Sequence, residues 1–254
     1  MSRKGDQRMP PDALTPWEPK AQHDAPTPVL FSWSGGKDSA LALYALRQRA
    51  DFRIAGLLTT VTEGYDRISM HGVRRTLLLK QADRLGLPLH EVGIPPKCSN
   101  AVYESRMEQA LRGQLAAGIH TVAFGDIFLE DLRAYREQNL ARLRMRAIFP
   151  IWKRDTVELV REFSHLGFRA IVVSVDPGKL DRSCAGRALT PEFVRGLPAG
   201  VDPCGENGEF HTFVFAGPIF RRPIGIERGD VVDRDGYLFC DVRERTRPRK
   251  TPGR

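Results

Sequence analysis

Phe31-Ser32-Trp33-Ser34-Gly35-Gly36-Lys37-Asp38-Ser39 closes a short apolar run at 29–33 and opens a helical pattern with Ala40, Leu41, Leu43, Tyr44 and Leu46 on or near one face. A strand, a glycine pair and a helix start, in that order, make an anion cradle. Without a Cβ, Gly35 and Gly36 let backbone N–H groups approach an oxyanion closely. The helix start adds unpaired N–H groups and the positive end of its dipole. Ser34 and Ser39 contribute hydroxyls and Lys37 a point charge. Asp38 suits either a Mg2+ ligand or a helix cap. A plain glycine-rich turn explains the two glycines but not six such residues in sequence. The GxxxxGK[ST] spacing and the GxGxxG fingerprint are both absent, so this is neither of those phosphate loops.

Downstream, short apolar runs at 54–61, 89–94, 121–124, 148–152 and 170–175 read as strands. They alternate with helical patterns at 71–85, 101–117, 131–146 and 156–166, three of them stopped by Gly86, Gly118 and Gly167. This alternation predicts an α/β domain over 29–176, a parallel sheet with helices on both faces. Ligands in such sheets bind beyond the carboxyl ends of the strands. That rule singles out 34–39, 62–71, 125–137 and 176–187. After Asp176 glycine and proline become dense, and strands at 210–216 and 237–242 lack a long helix between them. Residues 177–242 therefore read as a smaller α+β substrate domain that completes a cleft.

The chain ends differ from the body. Residues 1–28 hold six prolines and little periodicity, and read as a disordered leader. Residues 243–254 carry six basic side chains and one acid, five of the eight net positive charges, and read as a solvated basic tail. The remaining body is nearly neutral and the tail has no interleaved aromatics, which argues against a nucleic-acid partner. No run approaches the ~18 apolar residues of a membrane helix and no apolar leader is present, so the cytoplasm is expected. Cys98, Cys184, Cys204 and Cys240 form no CxxC pair, which fits reduced thiols and no zinc site.

SGGKDS at 34–39 resembles the signature of the PP-loop ATP pyrophosphatases, which cleave ATP between the α and β phosphates, many of them adenylating an oxygen of the substrate. Four further segments narrow the resemblance. They are Met70-His71-Gly72-Val73-Arg74, Gly125-Asp126-Ile127-Phe128-Leu129-Glu130-Asp131-Leu132-Arg133, Pro150-Ile151-Trp152-Lys153-Arg154, and Asp202-Pro203-Cys204-Gly205-Glu206-Asn207-Gly208-Glu209-Phe210-His211-Thr212. With the turn, they resemble the diphthine–ammonia ligase (diphthamide synthase) family over about residues 29–222.

The resemblance implies a Rossmann-like domain of the adenine nucleotide alpha hydrolase type and a C-terminal substrate domain. It also implies ATP as cosubstrate and conversion of a carboxylate and ammonia to an amide, with release of AMP and pyrophosphate. The family usually reads Gly-Glu-Gly-Gly-Glu-Tyr-Glu-Thr in the last motif. Here Asn207, Phe210 and His211 depart from it, a variant similar to the bacterial branch. The acceptor is then either diphthine, the modified histidine of an elongation factor, or a small-molecule carboxylate.

Candidate roles follow. Ser34, Gly35, Gly36, Lys37, Asp38, Ser39 and Asp126 are expected to hold the nucleotide, with Asp38 on Mg2+. Lys37, Asp38, Glu206 and Glu209 are expected to act in catalysis, the two glutamates by capturing ammonia or Mg2+. His71, Arg74, Glu130, Arg133 and His211 are expected on the substrate side. Blander readings stand beside these: a polar hairpin for Glu206 and Glu209, a structural imidazole for His211, a helix cap for Asp131, and a helical ion pair with Glu137 for Arg133. A tRNA-thiolating enzyme of the PP-loop class and a non-catalytic ATP sensor are the alternatives. A homo-oligomer remains open.

Overall fold

The computed structural model describes residues 25–68 and 71–245. The leader up to residue 24, Met70 and the tail beyond residue 245 lie outside the described residues. The chain alternates as expected. β1 (Thr27–Ser32) leads to α1 (Lys37–Arg47), then β2 (Phe52–Thr62) and the two-residue β3 (Arg67–Ile68). There follow α2 (Arg75–Leu85), β4 (Leu89–Ile94), α3 (Asn100–Ala116), β5 (Thr121–Ala123), α4 (Glu130–Arg142), β6 (Arg146–Ile148) and α5 (Thr156–His165).

β4, β2, β1, β5 and β6 pair in that order, all parallel, and β3 adds antiparallel to the end of β2. The order reverses direction between β1 and β5. That junction is the switch point where an open α/β sheet leaves a crevice. β1 shows why both faces are covered: Val29 and Phe31 point into one core with α1, α2 and α5, while Leu30 points into the other with α3 and α4. This is the two-residue period of a strand buried on both sides.

The strand at 170–175 forms, but in the other sheet. β7 (Arg169–Val175) sits between β8 (Phe210–Ala216) and β10 (Tyr237–Glu244) in an antiparallel sheet of order β8-β7-β10-β9. A β-branched run buried on both faces carries no mark of which sheet it joins. β9 (Ile226–Arg234) has no counterpart in the strand patterns of the sequence. It reads I-E-R-G-D-V-V-D-R, and charge hides the alternation because it is an edge strand. A 3-10 turn (Arg182–Cys184) and the short α6 (Pro191–Arg195) fill the β7–β8 connection.

One helical and one strand reading contract. α2 starts at Arg75 rather than 71 because Gly72 has φ 66° and Arg74 bridges to Arg67. The run at 148–152 is strand only to Ile148, and Pro150–Lys153 turns away. Among the described residues the antiparallel sheet has no core of its own: Phe210, Phe213, Val214 and Leu238 belong to the same apolar cluster as α1, α2 and α5. At the rim, Asp241 on β10 accepts from Arg67, Arg74 and Arg243 at 2.8–3.0 Å, which fastens β10 to β3 and the start of α2.

Candidate active site

The turn after β1 is held from three sides. Gly35 has φ +80°, and a Cβ there would lie 2.6 Å from Gln81 Oε1. Gln81 on α2 is fully buried. Its amide nitrogen donates to the carbonyls of Gly35 (3.0 Å) and Val214 (2.7 Å), and its oxygen accepts from the Trp33 indole N–H (2.9 Å). β8 supplies the second side: Val214 N–H donates to Gly35 O (2.9 Å), and Lys37 N–H donates to Thr212 Oγ1 (3.0 Å). β5 supplies the third. A Cβ on Gly125 would come within 2.9 Å of Ser39 N, so the end of β5 abuts the first turn of α1 backbone to backbone. Inside the turn, Ser34 Oγ accepts from Gly36 N–H (3.2 Å) and Ser39 Oγ–H donates to Gly36 O (3.0 Å).

These contacts floor a cavity of about 270 Å³ at the β1/β5 switch point. Ser34, Lys37, Asp38, Ser39, His71, Asp126, Glu206 and His211, all singled out from the sequence, line it together. Lys37 is 2% exposed, its ammonium 2.8 Å from Asp38 Oδ2 and 5.4 Å from the Phe210 ring centroid. Burial works against the ammonium, but the neighbouring carboxylates, Asp38 first, outweigh it and hold its pKa above the ordinary value. Burial also pushes the Asp38 carboxyl up against the pull of Lys37.

Glu206 comes from the loop before β8. Its Oε1 accepts from Ile127 N–H at 2.7 Å, which bridges that loop to the end of β5. Burial, helped by the charges of Asp38 and Asp126, raises its pKa to about 7. The rings of His71 and His211 lie 4.5 Å apart. Both are held neutral: burial and His211 push His71 well below the usual imidazole range, and burial and Lys37 lower His211 to about 4.

Four expected residues lie elsewhere. Glu209 is buried but faces its own loop. Its carboxylate accepts from Asp202 N–H, Asn207 N–H and the Asn207 amide at 3.0–3.1 Å. Burial alone would raise its pKa, and those donors hold it lower. Arg74 is spent on Asp241. Glu130 pairs with Lys153 (2.8 Å) in solvent. Arg133 pairs with Glu137 (2.8 Å) and lies over the Phe149 and Trp152 rings.

The sequence reading missed Arg136, which lines the cavity and grips Asp126 with two hydrogen bonds of 2.6 and 3.0 Å. The spacing of Leu129, Leu132 and Arg136 on one face of α4 is the signal that would have found it. It also missed Asp202, which accepts from Cys204 N–H, Glu206 N–H and the Thr156 hydroxyl and so shapes the Glu206 loop. Among the described residues, no cluster of three His, Cys, Asp or Glu side chains is arranged to hold a metal by itself. No helix among them is long and apolar enough to cross a membrane.

A family model described as the diphthamide synthase N-terminal domain matches residues 27–147, and one described as the diphthamide synthase C-terminal domain matches residues 155–246. The diphthine–ammonia ligases of Rattus norvegicus and Homo sapiens are each 25% identical over 187 residues, covering 71% of this chain and 70% of theirs. That of Danio rerio is 32% identical over 123 residues, covering 45% of this chain and 47% of its own.

Proposed function

The chain belongs to the diphthamide synthase family, and on that premise we propose that it is an ATP-dependent ligase that turns a carboxylate and ammonia into an amide, releasing AMP and pyrophosphate. The observation that carries this reading is one cavity that combines a glycine turn at a helix start, a buried lysine and a carboxyl group poised near neutrality. ATP lies with its phosphates on the 34–39 turn of the 29–176 region, and the acyl acceptor lies against the 177–242 region. The loop at 202–212 forms their shared wall. The sheets themselves divide earlier, between Ile148 and Arg169.

A carboxylate resists ammonia because its charge repels a nucleophile and oxide leaves poorly. Attack of a carboxylate oxygen on the α-phosphorus forms an O–P bond, and pyrophosphate departs with the electron pair of the bond that breaks. Lys37 and the turn's N–H groups face the charge that collects on the leaving oxygens. Asp38 Oδ1 is buried without a hydrogen-bond partner and suits a single contact to Mg2+, an ion commonly held by one or two carboxylates and substrate phosphates. Such an ion would neutralise phosphate charge. Ammonia then attacks the acyl carbon, AMP leaves with its electron pair, and Glu206 accepts the surplus proton.

Either diphthine or a small carboxylate satisfies this scheme. The thiolating alternative needs a reactive sulfur, whereas burial pushes the Cys204 thiol far up and keeps it protonated. The test is a pooled carboxylate panel, with diphthine-bearing elongation factor included, assayed for nucleotide products. AMP and pyrophosphate are expected. ADP and phosphate, or ATP bound without turnover, would sink the proposal.

Glu206 sets a pH dependence. Proton acceptance needs the ionised form, so amide formation should rise with pH through about 7 and then level off. Glu206→Gln should abolish that limb and slow amide formation by about 10²-fold or more, with ATP–pyrophosphate exchange kept. The raised pKa also means that the folded state binds a proton the unfolded state has lost. Glu206 therefore favours folding below pH 7, and that contribution is lost as pH rises through 7.

A further inference from the structure

A second cavity, of about 90 Å³, lies between α3 and α4. The exposed Glu108 and Arg142 stand at its outer end, and the buried Leu111, Phe124 and Leu140 line its inner part. Phe124 and Arg136 line both this cavity and the Lys37 cleft, so these two side chains are the partition between them. Arg136 is held in that partition by Asp126 and lies 4.4 Å from the Phe124 ring centroid. Size limits what can enter. An apolar cavity of roughly 150 Å³ takes benzene, so this smaller one excludes an adenine ring and suits a molecule of a few heavy atoms.

Charge limits it further. The mouth is balanced, with Glu104 facing Arg142 and Glu108 facing Arg112. The throat is mostly apolar, with Tyr103, Tyr135 and Asn139 as its uncharged polar groups, and admits an uncharged molecule far more readily than an ion. At the inner end the Arg136–Asp126 pair is also balanced and leaves no free carboxylate to draw a cation through. We infer that the cavity between α3 and α4 is an entry path that carries ammonia from the surface to the Lys37 cleft, with Arg136 and Phe124 as its inner gate.

The inference rests on the ligase reading and adds the route of the nitrogen donor. At the mouth, ammonium gives its proton to water and continues as ammonia. It crosses when Arg136 swings off Phe124. In the cleft its lone pair forms the C–N bond while the C–O bond to AMP breaks. The path keeps water-borne ammonium away from the activated acyl group, and it lets the carboxylate and ATP occupy the cleft opening without blocking the nucleophile.

The test plugs the throat. Met107→Trp and Leu111→Phe fill the cavity from α3 without touching the turn. With the pooled carboxylate panel as acceptor, each variant should keep ATP–pyrophosphate exchange within about two-fold of the parent. Each should also show a KM for ammonium raised about ten-fold or more. Unchanged ammonium KM with intact exchange overturns the path and leaves the ligase reading standing. Exchange that falls together with amide formation also overturns the path, because the cavity would then serve adenylation. Absence of exchange in the parent protein overturns the ligase reading and the path with it.

Discussion

Lys37→Met is expected to cut pyrophosphate release by about 10²–10³-fold, the loss typical of removing one preorganised group facing transition-state charge. It should also destabilise the fold by about 3 kcal/mol, because it strands the Asp38 carboxylate in a buried setting. The low end of the usual range applies, since the Asp38 side chain is 26% exposed and water screens part of the loss. Urea midpoints at constant m-value read the stability term, and a coupled pyrophosphate assay reads the activity. The double variant Lys37→Met with Asp38→Asn separates the two effects. Removing both charges should restore most of the stability and none of the turnover. Recovery of both would mean that Lys37 serves folding alone.

Gln81→Leu is expected to cost about 2–4 kcal/mol and to raise the KM for ATP about ten-fold. Leucine leaves the Trp33 indole N–H buried without an acceptor, and an unsatisfied buried donor costs about 1–3 kcal/mol. The rest comes from losing the amide donor shared by Gly35 O and Val214 O. The KM effect arises because that donor fixes the Gly35 peptide, whose φ of +80° aims the turn. Adding Trp33→Phe removes the orphaned donor. Stability should then recover in part while the KM stays high. A KM that returns to the parent value in the double variant would show that the amide does not orient the turn.

The parallel sheet and the turn were legible because each depends on local chemistry. Apolar strand runs, helices stopped by glycine and the six-residue Ser-Gly-Gly-Lys-Asp-Ser turn are all contiguous in sequence. Eight expected side chains meet in the cleft for the same reason: they sit just past strand ends, in one glycine-rich loop or at the start of the strand that follows it. What escaped is non-local. Nothing in the run at 169–175 tells it to pair with strands 35 and more residues ahead instead of with β6. Glu209 and Arg74 carry the right chemistry, but backbone donors and Asp241 claim them first. Arg133 and Arg136 are close in composition and context, and only their positions around α4 decide that Arg136 faces the cleft. Gln81 was passed over because a glutamine inside an amphipathic helix usually faces water, and here it does not.

The bonds of Thr212 and Val214 to the turn have a practical result. The shape of the 35–37 turn is a joint product of the N-terminal and C-terminal regions, so neither can be borrowed alone. A chimera that grafts a foreign C-terminal region must bring strand β8 and the residues it meets at 35–37 from the same parent. A fragment stopping at β6 would retain every residue of the signature and lack the partner that gives it shape.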